Sequence, residues 1–437
     1  MTARGLIVAS SRSGSGKTTV TLGLLVAFRR HGVAVRAGKA GPDYIDTAFH
    51  AAAAGAASVN LDSWAMPRGL LNALAGEAAQ TAELLIIEGV MGLFDGVAGP
   101  PGHSGTTADL AACLRLPVLL VLDVSGQSQT AAAVVRGLAG HDPDVRIAGV
   151  VLNRVGSERH RVLIGDAINA LGIPVLGAVP RDAVLTMPER HLGLVQAGEH
   201  GDLAVRLDRL ADMVQRHLDL DRIIASAAPL TVAGPSHRPA LSPPGQRIAV
   251  AADAAFTFMY PHLCDGWRRS GAEIVAFSPL ADEPPPHDCD ACWLPGGYPE
   301  LHAGVLANAN HFQSGLRQFG ETRPVHGECG GYMVLGQDLE DANGVRHAMV
   351  GLLGHATSFA TRQLHLGYRE VRLVADGALG RAGSTIRGHE FHYATLISRG
   401  TDERLLELSD AAGKPLGDAG NRRGHVTGAF FHAIAQV

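Results

Sequence analysis

The sequence contains no run of about 18 uncharged apolar residues, which excludes a membrane-spanning helix. It has no excess of positive charge: 37 Lys and Arg stand against 42 Asp and Glu, a formal net charge of −5. That removes the electrostatic footprint of a nucleic-acid binder. Aromatic residues make up only 5% of the chain, and the five cysteines are an odd number in 437 residues, which is not a disulfide framework. The first ten residues are too short, and lead too directly into the next motif, to form a signal peptide. The expectation is a cytosolic protein with neither nucleic acid nor membrane as partner. What the chain does have is 46% hydrophobic content and 54 glycines, as expected of helices packed closely on parallel sheets. A prior of about 100–200 residues per domain gives two to four domains.

Residues 4–19 organise the first half. Leu6, Ile7, Val8 and Ala9 read as a buried strand that breaks into a Ser/Gly loop, Ser10 to Gly16. Lys17, Thr18 and Thr19 then open an apolar-periodic helix. Strand, small-residue loop, Gly-Lys-Thr and helix in this order make a phosphate-binding loop. Gly14 and Gly16 let backbone N–H groups point at an anion, and the helix N-terminus adds partial positive charge. Lys17 is expected on the β- and γ-phosphates of ATP and Thr18 on Mg²⁺. Ser11 stands where the usual motif begins with Gly.

Short apolar runs follow at Val33–Gly38, Leu84–Ile87, Pro117–Leu122, Ile147–Leu152 and Pro174–Val179, alternating with helical patterns. This is the signature of βαβ units and a parallel sheet, with ligands at the carboxyl ends of the strands. Asp43, Glu88, Asp95, Asn153 and Arg181 all fall at such ends. Glu88 and Asp46 are candidates for holding Mg²⁺, because several acids beside a phosphate loop repel one another unless a cation sits among them. One amphipathic helix is expected over 203–224. Residues 225–246, dense in Pro, Ser and Gly, read as a linker between domains 1–224 and 247–437.

The second domain restarts the alternation and turns mainly β after about residue 350, with strands expected at Val350–Ser358, Gly367–Leu373, Ser384–Ile397 and Gly428–Ile434. Cys329 lies in Gly-Glu-Cys-Gly-Gly directly after the short strand at Pro324-Val325. Flanking glycines permit the tight turn that exposes a nucleophile, and a helix N-terminus behind it is expected to draw the thiol towards thiolate. The N–H groups of Gly297 and Gly330 are candidates for an oxyanion hole. The cysteine needs a base, and position alone does not choose among His355, His389, His392 and His432. Cys289 and Cys292 lack a second pair at zinc-site distance and read as core residues.

Six motifs in order, GPDYID (41–46), EGVMGLFDG (88–96), ERHLGL (189–194), LPGGYPEL (294–301), GECGGYM (327–333) and GHEFHY (388–393), resemble the cobyrinic and hydrogenobyrinic acid a,c-diamide synthases. The resemblance covers essentially the whole chain. It implies an α/β protein with an N-terminal, dethiobiotin synthetase-like ATP domain and a C-terminal domain like the class I glutamine amidotransferases. It places the nucleophile on Cys329 and its base on His432. Related amidotransferases carry a glutamate two residues after that histidine, and here the position is Ile434, so a dyad is implied. By the same resemblance Asp43, Asp46, Glu88 and Asp95 position Mg²⁺, phosphate or substrate. Tyr44 and Ile45 would contact a macrocycle, and Asn153 and Arg181 would read adenine. The implied substrates are a corrin-ring polycarboxylate, L-glutamine and ATP, and a homodimer is allowed. Sister amidotransferases, such as a cobyric acid synthase or an enzyme amidating a nickel tetrapyrrole, share this chemistry. A partitioning-type ATPase would explain residues 1–200 alone.

Overall fold

The computed structural model describes residues 3–181, 189–190, 193–194, 201–231 and 239–437. The chain divides into two compact units, Met1–Ser236 and His237–Val437.

The first unit is built on β1 (Arg4–Ser10), α1 (Lys17–Arg30), β2 (Val35–Ala40), α2 (Tyr44–Ala54), β3 (Val59–Leu61), α3 (Arg68–Gln80) and β4 (Leu84–Glu88). It continues through α4 (Thr107–Leu114), β5 (Val118–Asp123), α5 (Thr130–His141), β6 (Ile147–Val155), α6 (Glu158–Asn169) and β7 (Val175–Pro180). The strands pair in the order β3-β2-β4-β1-β5-β6-β7, all in parallel. Strands β4 and β5 are buried at every position, which is why they read as continuous apolar runs rather than alternating ones. The register sets Val8 beside Glu88 and Lys39 beside Glu88. The loops after β1, β2 and β4 therefore open at one end of the sheet.

The expected single helix over 203–224 is two: α7 (Leu203–His217) and α8 (Leu220–Ser226). Leu218 takes extended dihedrals, and the Asp219 carboxylate accepts from Arg222 N at 3.0 Å to cap α8. An Asp that satisfies a free backbone N–H starts a new helix more readily than it continues an old one. Beyond α8, Ala228 and Pro229 pair antiparallel with Gly5 and Arg4, so part of the stretch read as linker is sheet edge. Residues 232–238, also in that stretch, lie outside the described residues. Of the ERHLGL motif, Glu189–Arg190 pairs with Gly193–Leu194 as a short antiparallel ladder, and His191 and Leu192 lie outside the described residues.

The second unit contains β8 (Arg247–Ala251), α9 (Pro261–Arg269), β9 (Glu273–Phe277), β10 (Ala291–Leu294), α10 (Ala303–Asn308), α11 (Asn310–Gly320), β11 (Val325–Glu328) and α12 (Gly330–Leu335). The strands β12 (His365–Leu373), β13 (Thr385–His392), β14 (Glu403–Asp410), β15 (Pro415–Arg423), β16 (Val426–Ala429) and β17 (His432–Gln436) follow. Ten strands form one sheet in the order β9-β8-β10-β11-β16-β15-β14-β12-β13-β17. The first five are parallel and the rest antiparallel. The stretch read as one strand over 428–434 is thus two, and its break at Phe430-Phe431 lets β17 pair with β13 instead of β15. Cys289 and Cys292 are buried in an apolar cluster with Phe312, Leu316 and Phe319, as expected of core cysteines. No helix among the described residues is long and apolar enough to cross a membrane.

Helix α1 packs on α7 with Gly23 at the contact. A Cβ built there would fall 2.4 Å from Val214 Cγ2 and 2.8 Å from the Leu210 carbonyl oxygen. Alanine gains about 1 kcal/mol of helix propensity over glycine, but overpacking against a backbone carbonyl costs about 1–3 kcal/mol. Gly23→Ala is therefore expected to be net destabilising in urea unfolding. A stabilised variant would show that α7 can back away from α1.

Candidate active sites

In the first unit, β1 runs into a loop whose Gly14 and Gly16 take φ of 73° and 91°, left-handed values that glycine adopts without strain. Gly16 precedes α1 as its cap. A Cβ on Gly16 would sit 2.2 Å from Asn153 Nδ2, and that nitrogen donates to the Ser15 carbonyl at 2.8 Å. Asn153 thus braces the phosphate loop. Lys17 Nζ donates to Ser10 Oγ at 3.0 Å and to the Met91 carbonyl at 2.6 Å, joining the loop after β1 to the one after β4. Burial draws its pKa down to about 8. Thr18 donates to Glu88 Oε1 at 2.7 Å, while Thr19, next to it in α1, is half-buried.

Glu88 is fully buried. Besides Thr18 it holds Lys39 Nζ at 3.0 Å and His50 Nε2 at 2.6 Å. Lys39 also donates to Asp46 Oδ2 at 2.6 Å. Burial alone would raise Glu88, but Lys39 and then His50 hold it well below the usual carboxylate range. Conversely, burial would lower Lys39, and Asp46 and Glu88 keep it firmly charged. Asp43 caps α2 by accepting from Asp46 N at 2.8 Å. Burial first, then Asp46, push its pKa up to about 6. Asp95 closes its own loop by accepting from Gly92 N at 2.9 Å. Tyr44 is half-buried and Ile45 is buried at the start of α2, and Arg181 is exposed after β7.

Lys39 and His50 were not singled out in the sequence. Lys39 is one of two charged residues in β2, with Arg36, and His50 has only its spacing on α2. Asp123 ends β5 and was also passed over. It accepts from Arg12 of the phosphate loop at 2.8 Å and from Arg154 at 2.6 Å.

In the second unit the nucleophile geometry is explicit. Cys329 takes φ 46° and ψ −101°, a strained conformation for a residue with a Cβ. The surrounding glycines are forced by contact. A Cβ on Gly331 would meet the Leu294 carbonyl oxygen at 2.0 Å, and one on Gly327 would meet Gly331 C at 2.7 Å. A Cβ on Gly330 would sit 3.0 Å from Gly297 N, so these two backbone segments face each other beside the thiol. One on Gly296 would lie 3.3 Å from both Cys329 Cβ and His432 Nε2.

That contact selects among the four histidines. His432 shares its corner with Cys329. His389 stacks on the His432 ring at 4.9 Å. His392 stacks on Phe430 and donates to the Ala394 carbonyl at 2.9 Å. His355 stacks on Tyr332 and donates to its carbonyl at 3.0 Å. Glu328, missed in the sequence although adjacent to the cysteine, is buried with Oε2 4.0 Å from His432 Nδ1. Burial pushes Glu328 up to about 8.

The expected shift of Cys329 towards thiolate is reversed. Burial raises the thiol well above its ordinary value, and the nearby Glu300 charge adds to it. The single N–H of Gly330 and a six-residue helix do not offset that. Burial likewise depresses His432, so the surroundings favour the neutral form of both thiol and imidazole.

The chain matches two families: the CobQ/CobB/MinD/ParA nucleotide binding domain over residues 6–195 and the CobB/CobQ-like glutamine amidotransferase domain over 247–436. It is 62% identical to the hydrogenobyrinate a,c-diamide synthase of Mesorhizobium japonicum over 437 residues, all of both chains. The proteins of that name from Agrobacterium fabrum and Rhodobacter capsulatus are 59% and 55% identical over 436 and 438 residues, covering 100% and 99% of each chain. The chain belongs to the hydrogenobyrinate a,c-diamide synthase family. The amidotransferase match removes the partitioning ATPase, which had no use for residues 247–436.

Lys39 is the shared cation of buried Glu88 and half-buried Asp46. Lys39→Met leaves an uncompensated buried charge and is expected to cost about 3–5 kcal/mol of stability in chemical denaturation. A loss below about 1 kcal/mol would show that Glu88 is relieved by protonation or water instead.

Proposed function

We propose that this chain amidates the a and c acetate carboxylates of hydrogenobyrinic acid, using ATP and glutamine. Full-length identity of 62% to a hydrogenobyrinate a,c-diamide synthase carries the reading, and it supports the cobalt-free acid over cobyrinic acid as substrate. Both sites are present to perform it.

The phosphate loop, through Gly14, Gly16, Lys17 and Thr19, binds ATP, with Asn153 and Arg181 at the adenine end. A substrate carboxylate attacks the γ-phosphate and forms an acyl phosphate, releasing ADP. Asp43, Tyr44, Ile45 and Asp95 line the loops that present that carboxylate. In the second unit Cys329 loses its proton to His432 Nε2 and attacks the glutamine side-chain amide. The oxyanion develops against Gly297 and Gly330 N–H. Ammonia leaves with the proton from His432, and water hydrolyses the γ-glutamyl thioester. The ammonia then displaces phosphate from the activated acid, and the cycle repeats at the second carboxylate.

The residues fit Mg²⁺. Thr18 Oγ1 and Glu88 Oε1, 2.7 Å apart, are the atoms that would hold it. A hydroxyl, one carboxylate, phosphate oxygens and waters are the usual donor set. Bound there, Mg²⁺ would neutralise phosphate charge. Asp46 would act through Lys39, which it already holds.

Purified protein is expected to form the diamide from hydrogenobyrinic acid, ATP and Mg²⁺ with either glutamine or ammonium chloride. Cys329→Ala should lose the glutamine-dependent reaction and keep the ammonium-dependent one. Wild type that hydrolyses glutamine but makes no amide from either source would leave the amidotransferase and remove this acceptor. Chelation of Mg²⁺ by EDTA, or Glu88→Gln, should abolish synthesis while glutamine hydrolysis persists. Unchanged synthesis in Glu88→Gln would take Glu88 out of the metal site.

A further inference from the structure

The residue two places after the base histidine is Ile434, 1% exposed, and its carbonyl accepts from His262 Nε2 at 2.9 Å. No carboxylate reaches the imidazole from that position. One reaches it from the other side of the turn. Glu328 is the last residue of β11, immediately before Cys329, and is 1% exposed. Its Oε1 accepts from Ala433 N at 2.9 Å, one residue past His432. Its Oε2 lies 4.0 Å from His432 Nδ1. The ring edge that carries Cε1 and Nε2 is turned towards the point above Gly296, at 2.4 and 3.3 Å, and Cys329 Cβ lies 3.3 Å from the same point. The imidazole therefore stands between thiol and carboxyl, with His389 stacked on its face.

We propose that Glu328 is the positioning residue for His432, holding the Nδ1–H tautomer so that Nε2 is the nitrogen that takes the Cys329 proton. This rests on the Cys329–His432 reading above. The acid of the usual triad is thus supplied from the residue before the nucleophile instead of from the strand after the histidine. As Sγ bonds to the amide carbon, its proton moves to Nε2 and the ring becomes an imidazolium. Glu328 Oε2 faces the Nδ1–H of that cation at 4.0 Å. When the C–N bond breaks, Nε2–H passes to the leaving ammonia and the ring is neutral again. Throughout, the Ala433 N–H to Glu328 bond ties the carboxyl to the backbone that carries the ring.

The test uses the full chain and follows glutamine hydrolysis and ammonium-driven diamide formation side by side. Glu328→Gln keeps the Ala433 contact but cannot stabilise the cation. It is expected to lower kcat for glutamine by about 10²–10³-fold, leave KM for glutamine unchanged, and leave the ammonium-driven rate intact. Glu328→Asp, shorter by one methylene but still an acid, should fall between Gln and wild type. Wild-type kcat in Glu328→Gln overturns the assignment, as does a loss confined to KM or one shared by the ammonium reaction. Where Glu328→Gln does not fold, Glu328→Asp decides: unchanged kcat overturns it. The underlying reading fails separately, if Cys329→Ala still hydrolyses glutamine.

Discussion

Each unit buries a glutamate at the last position of a parallel strand, and the surroundings of that carboxylate set what the site can do. Glu88 ends β4 and Glu328 ends β11, and both are shielded from water. A buried carboxylate is tolerated only when charge or hydrogen bonds answer it. Glu88 is answered by Lys39, His50 and Thr18 and remains ionised, the form that holds a metal ion. Glu328 has the Ala433 N–H and a neutral histidine ring nearby. Its proton is correspondingly hard to remove, and a cation formed on His432 is the one event that favours its charged form. The same residue type in the same place on a strand thus serves two chemistries, chosen by neighbours.

Those neighbours are fixed by strand register more than by loop sequence. Pairing Lys39 with Glu88 across β2 and β4 brings the ammonium to the carboxylate. A slip of one residue would send it to the other face of the sheet. In the second unit, pairing Glu328 with Ala429 and His389 with His432 brings the end of β11 against the start of β17. The crowding at Gly327, Gly330 and Gly331 excludes a Cβ on either side of Glu328-Cys329, and Cys329 carries its own at a φ of 46°. Packing, not the intrinsic preference of the turn, stores that strain.

Apart from the three-residue strand β3, which was not read, the strand order of the first unit, the phosphate loop and the cysteine turn were legible because each combines a short apolar run with a turn or glycine signal. The partners of the functional residues were not. Lys39 reads as an interruption of β2, His50 as one polar position on α2, and Glu328 as part of a motif whose cysteine takes the attention. Their roles come from contacts across 38 to 105 residues of chain, for which one sequence carries no signal. The strands β14 and β15 were missed for a related reason. Strand β15 is largely solvent-facing and polar, and β14 buries Leu405 and Leu406 side by side, so no apolar alternation marks them. The helix over 203–224 was misjudged because its apolar spacing continues through Leu218, while the break depends on the Asp219 cap.

The preference for a neutral pair in the second unit follows from the same burial that creates the site. Burial raises the thiol and lowers the imidazole, which disfavours proton exchange between them at rest, since the ion pair would be charged on both members in an apolar corner. Proton transfer becomes favourable only when the negative charge is passed on at once to the amide oxygen and its N–H donors, and when a carboxyl can face the new imidazolium. On the proposed mechanism, thiolate therefore forms only as attack proceeds, with glutamine already in place. An enzyme whose ammonia must meet an acyl phosphate gains from that coupling, because a free thiolate would be open to oxidation and stray acylation between turnovers.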